Sequence, residues 1–318
     1  MGGWDPPRAT NVKDRGMFDI SSKPDTYRVA KAQAVLNINQ KTASIIAAGD
    51  SPKGNIVEAA KYAATSGAKK TSDLIPYCHP IPIDHIAVSV SVKSQTVIVN
   101  VEVKSVWKTG VEMEALTGAC VGILAIYDML KPVDNSLSIK SIKIIDKHGG
   151  LTDFGSSQEN KIRAGVIVIS DSVAEGRRID KSGKFIAEYL KSRGMELAKY
   201  KVLSDDRSSI EKYLKYCADN LSLDLIITTG GTGIGPRDTT PEATRKVLEK
   251  ELIGIAEGSR SYGQRRTPLS MYSRGLAGVR GRTLIINLPG SLRAVSENLD
   301  FLFPGIEHAF QIIKGNNH

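Results

Sequence analysis

Two segments far apart in the chain combine glycine, histidine and charged residues in patterns that a hydrophobic core does not require. The first is KKTSDLIPYCHP (69–80), followed by KTGVEMEAL (108–116), and the second is TTGGTGIGPRDTTPEAT (228–244). Charged side chains can transfer protons, and glycine-rich backbone can approach a phosphate closely. The two segments therefore indicate two chemistries in one chain, each directed at a phosphorylated, ring-bearing small molecule.

The first half of the chain offers three carboxylates and a lysine on one predicted helix. Asp128 and Lys131 share a face near its end, where a lysine beside a carboxylate can serve in proton transfer. An exposed surface ion pair is the alternative interpretation. Glu112 and Glu114 lie at the start of the helix, where carboxylates also stabilise the positive end of the dipole without any catalytic role.

The separation of these groups constrains any shared site. Glu114 and Asp128 are fourteen residues apart on one helix, so about 21 Å separates them at 1.5 Å per residue. They cannot bind the same atoms. Either a second subunit completes the site or one of the two residues is structural.

His79 lies in a loop restricted by Pro76, Pro80 and Pro82. A rigid loop that presents an imidazole is typical of a functional site. A buried, hydrogen-bonded histidine is the alternative.

The glycine-rich segment of the second half directly follows an apolar strand. Its glycines allow positive φ and bring backbone N–H groups near a phosphate at the carboxyl edge of a sheet, although a tight loop without a ligand would also need them. The segment fits neither GxxxxGK[ST] nor GxGxxG.

Asp238, before the helix start at Thr240 and Pro241, can hold a metal or only form a turn. Asp205 ends a strand and, alongside Asp206, can cap the next helix.

Composition limits the classes of protein. The 318 residues are 41% hydrophobic and 24% charged, which predicts two soluble domains. No signal peptide or membrane-spanning stretch is recognised, so we expect a cytoplasmic protein with no membrane association. Three distant cysteines predict neither disulfides nor a structural metal. The net charge of +9 is spread along the chain, which favours a small anionic substrate over nucleic acid.

The polar run DFGSSQEN, residues 153–160, predicts the boundary between domains at 17–153 and 161–318. The first domain reads strand, helix, strand, strand, helix, strand, which predicts an α+β ferredoxin-like fold. In the second, the apolar runs AGVIVIS, LDLIITT and RTLIINLP alternate with helical segments. This pattern predicts a three-layer α/β domain with a mainly parallel sheet.

From MFDIS at residue 17 to about residue 153, the chain resembles the cyclic pyranopterin monophosphate synthase family, MoaC, through KG at 53, KKTSDLIPYCHP, KTGVEMEALT, IYDMLK and KHGG. That family rearranges a cyclised dihydroguanosine triphosphate to a pyranopterin with a cyclic phosphate while pyrophosphate leaves. The resemblance implies that Lys53 and Lys131 are acid/base or substrate-contacting lysines and that Asp128 is an active-site acid. It implies a substrate lined by Tyr77, Cys78, His79, Glu112, Met113 and Glu114.

Elementary chemistry agrees with these roles, because a lysine can neutralise a triphosphate and, if neighbouring cations lower its pKa, act as a base. For Lys53 the alternative is a solvated loop charge. Two departures from the family pattern stand out. Asn55 replaces the usual acid of KGD, which would weaken a cap or a salt link, and KHGGLTDF (147–154) replaces the usual KSGGKSG, which leaves the role of Lys147 open.

From residue 162 onward, the chain resembles the MoaB/MogA molybdopterin adenylyltransferases through ISD, VLSDD, TTGGTG, RDTTPEAT, YSR and NLPGS. That family joins AMP from Mg-ATP to the terminal phosphate of molybdopterin. The resemblance implies that Asp205 and Asp238 are the functional acids, with Asp238 as a magnesium ligand. Phosphate would be held by Gly230, Gly231, Thr232 and Gly233, and the pterin or nucleotide by Ser273, Arg274, Gly290 and Ser291. Leu292, where proline is usual, is a departure that could alter the loop.

The two resemblances together imply a bifunctional enzyme of molybdenum cofactor biosynthesis that uses Mg²⁺ and takes ATP as a co-substrate. We expect phosphorylated pterins and nucleotides as ligands, a homo-oligomer with a site shared between subunits, and other enzymes of the same biosynthesis as partners. A non-catalytic pterin-binding or scaffolding second domain is the alternative. Nucleic-acid binding through the basic charge would not explain the placed acids and glycines.

Overall fold

The computed structural model describes residues 16–150, 161–303 and 305–315, and its contacts divide the chain into two compact units between Asp153 and Phe154. The predicted linker at 153–160 and the last residues of the KHGGLTDF segment lie outside the described residues.

The first unit alternates between helices and the strands of one sheet. In chain order its elements are β1 (Thr26–Asn37), α1 (Gln40–Ala48), α2 (Ile56–Lys69), α3 (Thr71–Leu74), β2 (His85–Lys93), β3 (Thr96–Trp107), α4 (Glu112–Leu130) and β4 (Ser138–Gly149).

The four strands form an antiparallel sheet in the order β2-β3-β1-β4. Alternate side chains of β1 and β3 are buried, so one face of the sheet carries the core against α2 and α4. Small residues let these two helices approach closely, since a Cβ on Gly118 would lie 3.0 Å from the carbonyl oxygen of Ala64. The unit is therefore α+β, and its assignment to the ferredoxin-like class stays a prediction.

The helix α4 is the central packing element of this unit. Its length and its mean hydropathy of 1.5 would allow it to cross a membrane, so the expectation that no apolar stretch is long enough is wrong. Of the apolar 18-residue stretch within α4, 56% is buried inside the unit. The inner side chains of the helix, including Ile123 and Ile126, belong to the hydrophobic core. The apolar character of α4 is thus explained by packing.

The second unit has a larger sheet between helices. Its elements are β5 (Arg163–Ile169), α5 (Asp171–Ala174), α6 (Ser182–Ser192), β6 (Glu196–Leu203), α7 (Arg207–Lys215), β7 (Leu225–Thr229), α8 (Thr240–Val247), β8 (Lys250–Glu251), α9 (Ile253–Gln264), β9 (Ala277–Arg280), β10 (Thr283–Leu288), α10 (Leu292–Leu302) and α11 (Gly305–Ile313).

The strands lie in the order β6-β5-β7-β10-β9-β8, with parallel pairing from β6 to β10 and antiparallel pairing at β9. Successive residues of β5 point into different cores. Val166 packs with α6, α10 and α11, whereas Ile167 packs with α7 and α8. The predicted three-layer arrangement with a mainly parallel sheet is confirmed, and the carboxyl ends of β5, β6 and β7 carry the loops of the site.

Candidate active sites

Three charged side chains meet at the end of α4 in the first unit. The Lys53 Nζ donates to Asp128 Oδ2 at 2.6 Å and to the Asp128 carbonyl at 3.0 Å. The Lys131 Nζ lies 2.7 Å from Asp128 Oδ1. Because Lys53 comes from the turn before α2, 75 residues away in sequence, the cluster is more than a pair of neighbours on one helix.

The charges in this cluster stabilise each other. The hydrogen bond from Lys131, and then that from Lys53, lower the pKa of Asp128 to about 2. In turn, the bond to Asp128 raises the pKa of Lys131. The expectation of a lysine with a lowered pKa is therefore wrong for Lys131 in this arrangement, and Asp128 is a carboxylate that orients ammonium groups. The cluster carries two positive charges and one negative charge.

At the other end of α4, Glu114 is almost fully buried, with 3% of its surface exposed. The Cys78 Sγ donates to its Oε1 at 3.7 Å, and within the described residues its Oε2 is buried with no hydrogen-bond partner. Burial raises the pKa of Glu114. A dipole-stabilising residue at a helix start would be solvated, so the burial of Glu114 favours a functional role over the dipole interpretation.

The remaining predicted residues of this unit lie near that end of α4. His79 is half-buried, and its Nε2 lies 2.8 Å from the Phe18 carbonyl oxygen, so it is not a buried core histidine. Glu112 Oε1 lies 3.6 Å from Lys147 Nζ, so Lys147 forms an ion pair with Glu112. Tyr77 and Met113 are exposed.

The two departures that touch helix starts are accommodated. The Asn55 side chain accepts from the Glu58 N–H and so caps α2, as an aspartate would. Leu292 is the first residue of α10, directly after the capping Ser291, a position that either leucine or proline can occupy.

The carboxylate of Glu114 gives a testable reactivity. Burial first, and then the Glu114 charge and hydrogen bond, raise the pKa of the Cys78 thiol above its usual 9.0. We expect Glu114→Gln to lower that pKa, because the substitution removes the repulsion between carboxylate and thiolate. Alkylation of Cys78 by iodoacetamide at pH 8 should then be several-fold faster, as followed by peptide mass spectrometry.

Glu58→Gln on α2 is the matched control for this experiment, and the buried Cys217 is an internal reference. An unchanged Cys78 rate in a folded Glu114→Gln variant would show that the carboxylate does not control the thiol.

In the second unit, the glycine loop leaves the carboxyl end of β7. Gly230 and Gly231 have φ values of +101° and +62°. A Cβ on Gly230 would lie 2.2 Å from the Ile169 carbonyl oxygen, and one on Gly231 would lie 2.3 Å from Thr240 Oγ1. Both positions therefore need glycine for conformation and for space. The buried Asn287 stabilises the loop by donating to Thr228 at 2.9 Å and to Thr244 at 3.0 Å, on either side of the loop.

Two aspartates bind each other's backbone beside this loop. The Asp171 N–H donates to Asp205 Oδ2 and the Asp205 N–H donates to Asp171 Oδ1, both at 2.9 Å. Burial, followed by the nearby charges of Asp171 and Asp238, raises the pKa of Asp205. Asp171, which also pairs with Arg237 at 2.7 Å, was not predicted as a site residue, although it is the acid of the ISD motif.

The sequence left a structural alternative open for each predicted acid, a helix cap for Asp205 and a turn for Asp238, and the structure differs between the two. Asp206, not Asp205, caps α7 by accepting from the Ser209 N–H at 2.8 Å. The Asp238 Oδ2 accepts from the Gly235 N–H at 2.8 Å, so Asp238 does close a turn. That bond uses one oxygen of the carboxylate, and a role in binding a cation stays compatible with it.

A cavity of about 540 Å³ opens beside the loop. Its lining includes these predicted residues: Gly231, Thr232, Gly233, Asp238, Ser273, Gly290 and Ser291. Gly230, Asp205 and Arg274 are not in its lining. Sequence reasoning missed Arg260, Tyr272, Asn287 and Arg293. Tyr272, in the YSR motif, and Asn287, in the NLPGS motif, had a local signal, whereas Arg260 and Arg293 lie outside the quoted motifs.

The carboxylates fit a magnesium ion that arrives with a nucleotide. Such an ion commonly takes one or two carboxylates from the protein and its other ligands from phosphate and water. Asp205 and Asp238 are close enough to interact electrostatically, and both approach the glycine loop. The described part of the chain has no group of three or more His, Cys, Asp or Glu side chains that could hold a metal by themselves.

Comparison with known proteins agrees with this division. Residues 17–150 match the model of the MoaC family, and residues 165–308 match the family described as "Probable molybdopterin binding domain". A molybdenum cofactor biosynthesis bifunctional protein of Chlorobaculum tepidum is 35% identical over 312 residues, which cover 97% of this chain and 99% of that protein.

Two further relatives each match one unit. A cyclic pyranopterin monophosphate synthase of Roseiflexus is 43% identical over 42% of this chain and 86% of its own length. A molybdopterin adenylyltransferase of Helicobacter pylori is 41% identical over 49% of this chain and 89% of its own length. The chain therefore belongs to the family of bifunctional molybdenum cofactor biosynthesis proteins.

Proposed function

We propose that the chain catalyses two separate reactions of molybdenum cofactor biosynthesis. The first unit, on a ferredoxin-like scaffold, converts cyclised dihydroguanosine triphosphate to cyclic pyranopterin monophosphate and releases pyrophosphate. The second unit transfers AMP from Mg-ATP to the terminal phosphate of molybdopterin. The observation that carries this proposal is the full-length match to the bifunctional relative, together with a polar site in each unit.

In the first unit, the cluster of Lys53, Asp128 and Lys131 suits a triphosphate substrate. Two ammonium groups around one carboxylate leave an excess positive charge, which stabilises the charge that develops as pyrophosphate leaves. Asp128 keeps both lysines oriented and Lys131 protonated. Either ammonium group can then donate a proton to the substrate, and the neutral amine left by that transfer can act as a base in a later proton transfer.

In the second unit, the glycine loop would bind phosphate through its backbone N–H groups, at the cavity edge that Asp238 also lines. Asp205 and Asp238 would hold magnesium, which supplies charge neutralisation at the transferring phosphoryl group. Ser273 and Ser291 line the same cavity and can donate hydrogen bonds to a pterin or a nucleotide.

The alternative is a second unit that binds a pterin without catalysis. The presence of Asp205 and Asp238 at the loop favours the enzyme, because phosphate binding alone does not require two carboxylates near the anion. We test both activities on the full chain, by pyrophosphate release from the cyclised triphosphate and by formation of adenylylated molybdopterin from molybdopterin and Mg-ATP. Molybdopterin binding without adenylyl transfer would support the non-catalytic alternative.

We also propose that the first site is shared between subunits of a homo-oligomer. The helix α4 is continuous from Glu112 to Leu130, so the Glu114 and Asp128 ends remain about 21 Å apart within one subunit. We expect a mixture of the inactive variants Glu114→Ala and Asp128→Ala to recover part of the pyranopterin synthase activity. The recovery arises because sites that combine the two intact ends form after subunit exchange.

Subunit exchange is followed by native mass spectrometry on variants of different mass, and the unmixed variants are the controls. Exchange without any recovered activity would mean that one of the two residues is structural. We further propose that the protein acts in the cytoplasm and associates with other enzymes of the same biosynthesis.

A further inference from the structure

The guanidinium group of Arg274 is bonded to the glycine loop and to the helix that follows it. Its Nε donates to the Gly233 carbonyl oxygen and its Nη2 to the Asp238 carbonyl oxygen, each at 2.6 Å. Its Nη1 donates to Glu242. The backbone N–H of the same residue donates to the Thr232 carbonyl oxygen at 2.9 Å. One planar group therefore fixes both ends of the segment 233–238.

That segment folds around the Asp238 carboxylate. The Gly235 N–H donates to Asp238 Oδ2 at 2.8 Å, and the Asp238 N–H donates to the Gly235 carbonyl oxygen at 3.0 Å. A Cβ on Gly233 or Gly235 would lie 2.9 or 2.8 Å from the same carboxylate oxygen. The position of the carboxylate therefore depends on the path of the segment.

Glu242 holds the guanidinium group from the first turn of α8. Burial alone would raise the pKa of Glu242, but the hydrogen bond from Arg274, a backbone hydrogen bond and the charge of Arg274 together outweigh it and keep the pKa below its usual range. The other oxygen, Oε2, is buried and has no hydrogen-bond partner in the described ranges. Because α8 is anchored in the core through Ala243 and Val247, the pair connects the loop to a rigid element.

We propose that Arg274, oriented by Glu242, is a positioning residue that sets the path of the segment 233–238 and so places the Asp238 carboxylate, instead of binding a substrate phosphate itself. All three guanidinium nitrogens already donate to protein acceptors, and Arg274 is absent from the lining of the cavity. The link between this role and turnover rests on the adenylyl transfer proposed above, but the structural role does not.

The test uses Arg274→Lys and Glu242→Gln in the full chain. Lysine keeps the charge but cannot donate in three fixed directions. Hydrogen exchange at the Gly235 and Asp238 amides should become about tenfold faster in Arg274→Lys, the change expected for one lost charge-assisted hydrogen bond. Glu242→Gln should have a smaller effect at the same amides. The double variant should exchange no faster than Arg274→Lys, because the two residues act as one unit.

Arg245→Lys is the matched control, because Arg245 pairs with Glu251 at 3.3 Å and contacts no part of the loop in its hydrogen bonds. In Arg274→Lys we expect kcat for adenylyl transfer to fall while KM for ATP and molybdopterin stays within about twofold. Unchanged exchange in the loop would overturn the proposal, and so would a raised KM with an unchanged kcat. Failure of the wild-type chain to adenylylate would count against the proposed function alone, since exchange still measures the positioning.

Discussion

Replacing Asp128 by alanine is expected to reduce pyranopterin formation by about 10²-fold or more, the range typical of a lost acid/base arrangement. The substitution removes the acceptor that orients both Lys53 and Lys131. It also lets the two ammonium groups repel each other without a carboxylate between them. Lys53→Ala and Lys131→Ala should have comparable effects, because each removes one of the two ammonium groups that we propose to bind the triphosphate. Activity is measured as pyrophosphate release from the cyclised triphosphate.

The matched control is Lys61→Ala, which removes a lysine from another exposed pair three residues apart, that with Glu58 at 2.7 Å. It should keep full activity, since an exposed pair contributes little. Adenylyl transfer by the Asp128→Ala chain should persist, because the second unit has its own cores. Equal loss of both activities in a folded variant would contradict independent sites.

Replacing Asp238 by asparagine is expected to lower adenylyl transfer roughly 10²-fold, because the proposed magnesium site would lose a charged oxygen ligand. Binding of molybdopterin should stay nearly intact. The asparagine side chain has the same shape, and its oxygen can still accept from the Gly235 N–H. Turnover with magnesium and ATP is compared with pterin binding by calorimetry. Asp219→Asn, which alters an exposed carboxylate paired with Arg280, is the control and should behave as wild type.

The glycine loop provides the complementary variant. Gly231→Val should impair ligand binding itself, because its φ of +62° disfavours a β-branched residue and its Cβ would approach Thr240 and Asp205. Gly281→Val is the control that introduces backbone strain without a steric clash. Gly281 has a φ of +55°, and nothing lies within 4 Å of an added Cβ. Normal turnover by Asp238→Asn would reduce Asp238 to a turn residue and support the non-catalytic alternative.

Strands could be predicted from the sequence only where the local pattern of apolar residues is clear. The uniformly apolar β5 and β7 were recognised, because strands buried on both faces show a continuous run. The edge strand β6 was recognised only by its end before Asp205, since it alternates weakly and carries several charges. The predicted first strand, QAVLNIN (33–39), omits the first half of β1, because the buried positions there are the small residues Ala30 and Ala32, which give little hydrophobic contrast.

The sites show the same limit. Motifs identified Asp128 and Asp238 as candidates, but no local pattern joins Lys53 to Asp128 or Arg274 to Glu242, which are 75 and 32 residues apart. Such partners meet only through the fold. The motif assigned Arg274 to ligand binding, whereas its hydrogen bonds run to the loop. A sequence motif thus indicates which side chains could act in a site, but the tertiary contacts determine the role of each side chain.

The length of α4 determines how activity would respond to defective copies in a mixed oligomer. If each site takes the Glu114 end from one subunit and the Asp128 end from another, a copy damaged at one end disables one site. A copy damaged at both ends disables two. With random mixing, activity should therefore fall in direct proportion to the fraction of single-end copies, but the surviving activity should follow the square of the intact fraction for double-end copies. Because α4 is continuous, the dependence of activity on the fraction of damaged copies would show how many subunits form each site.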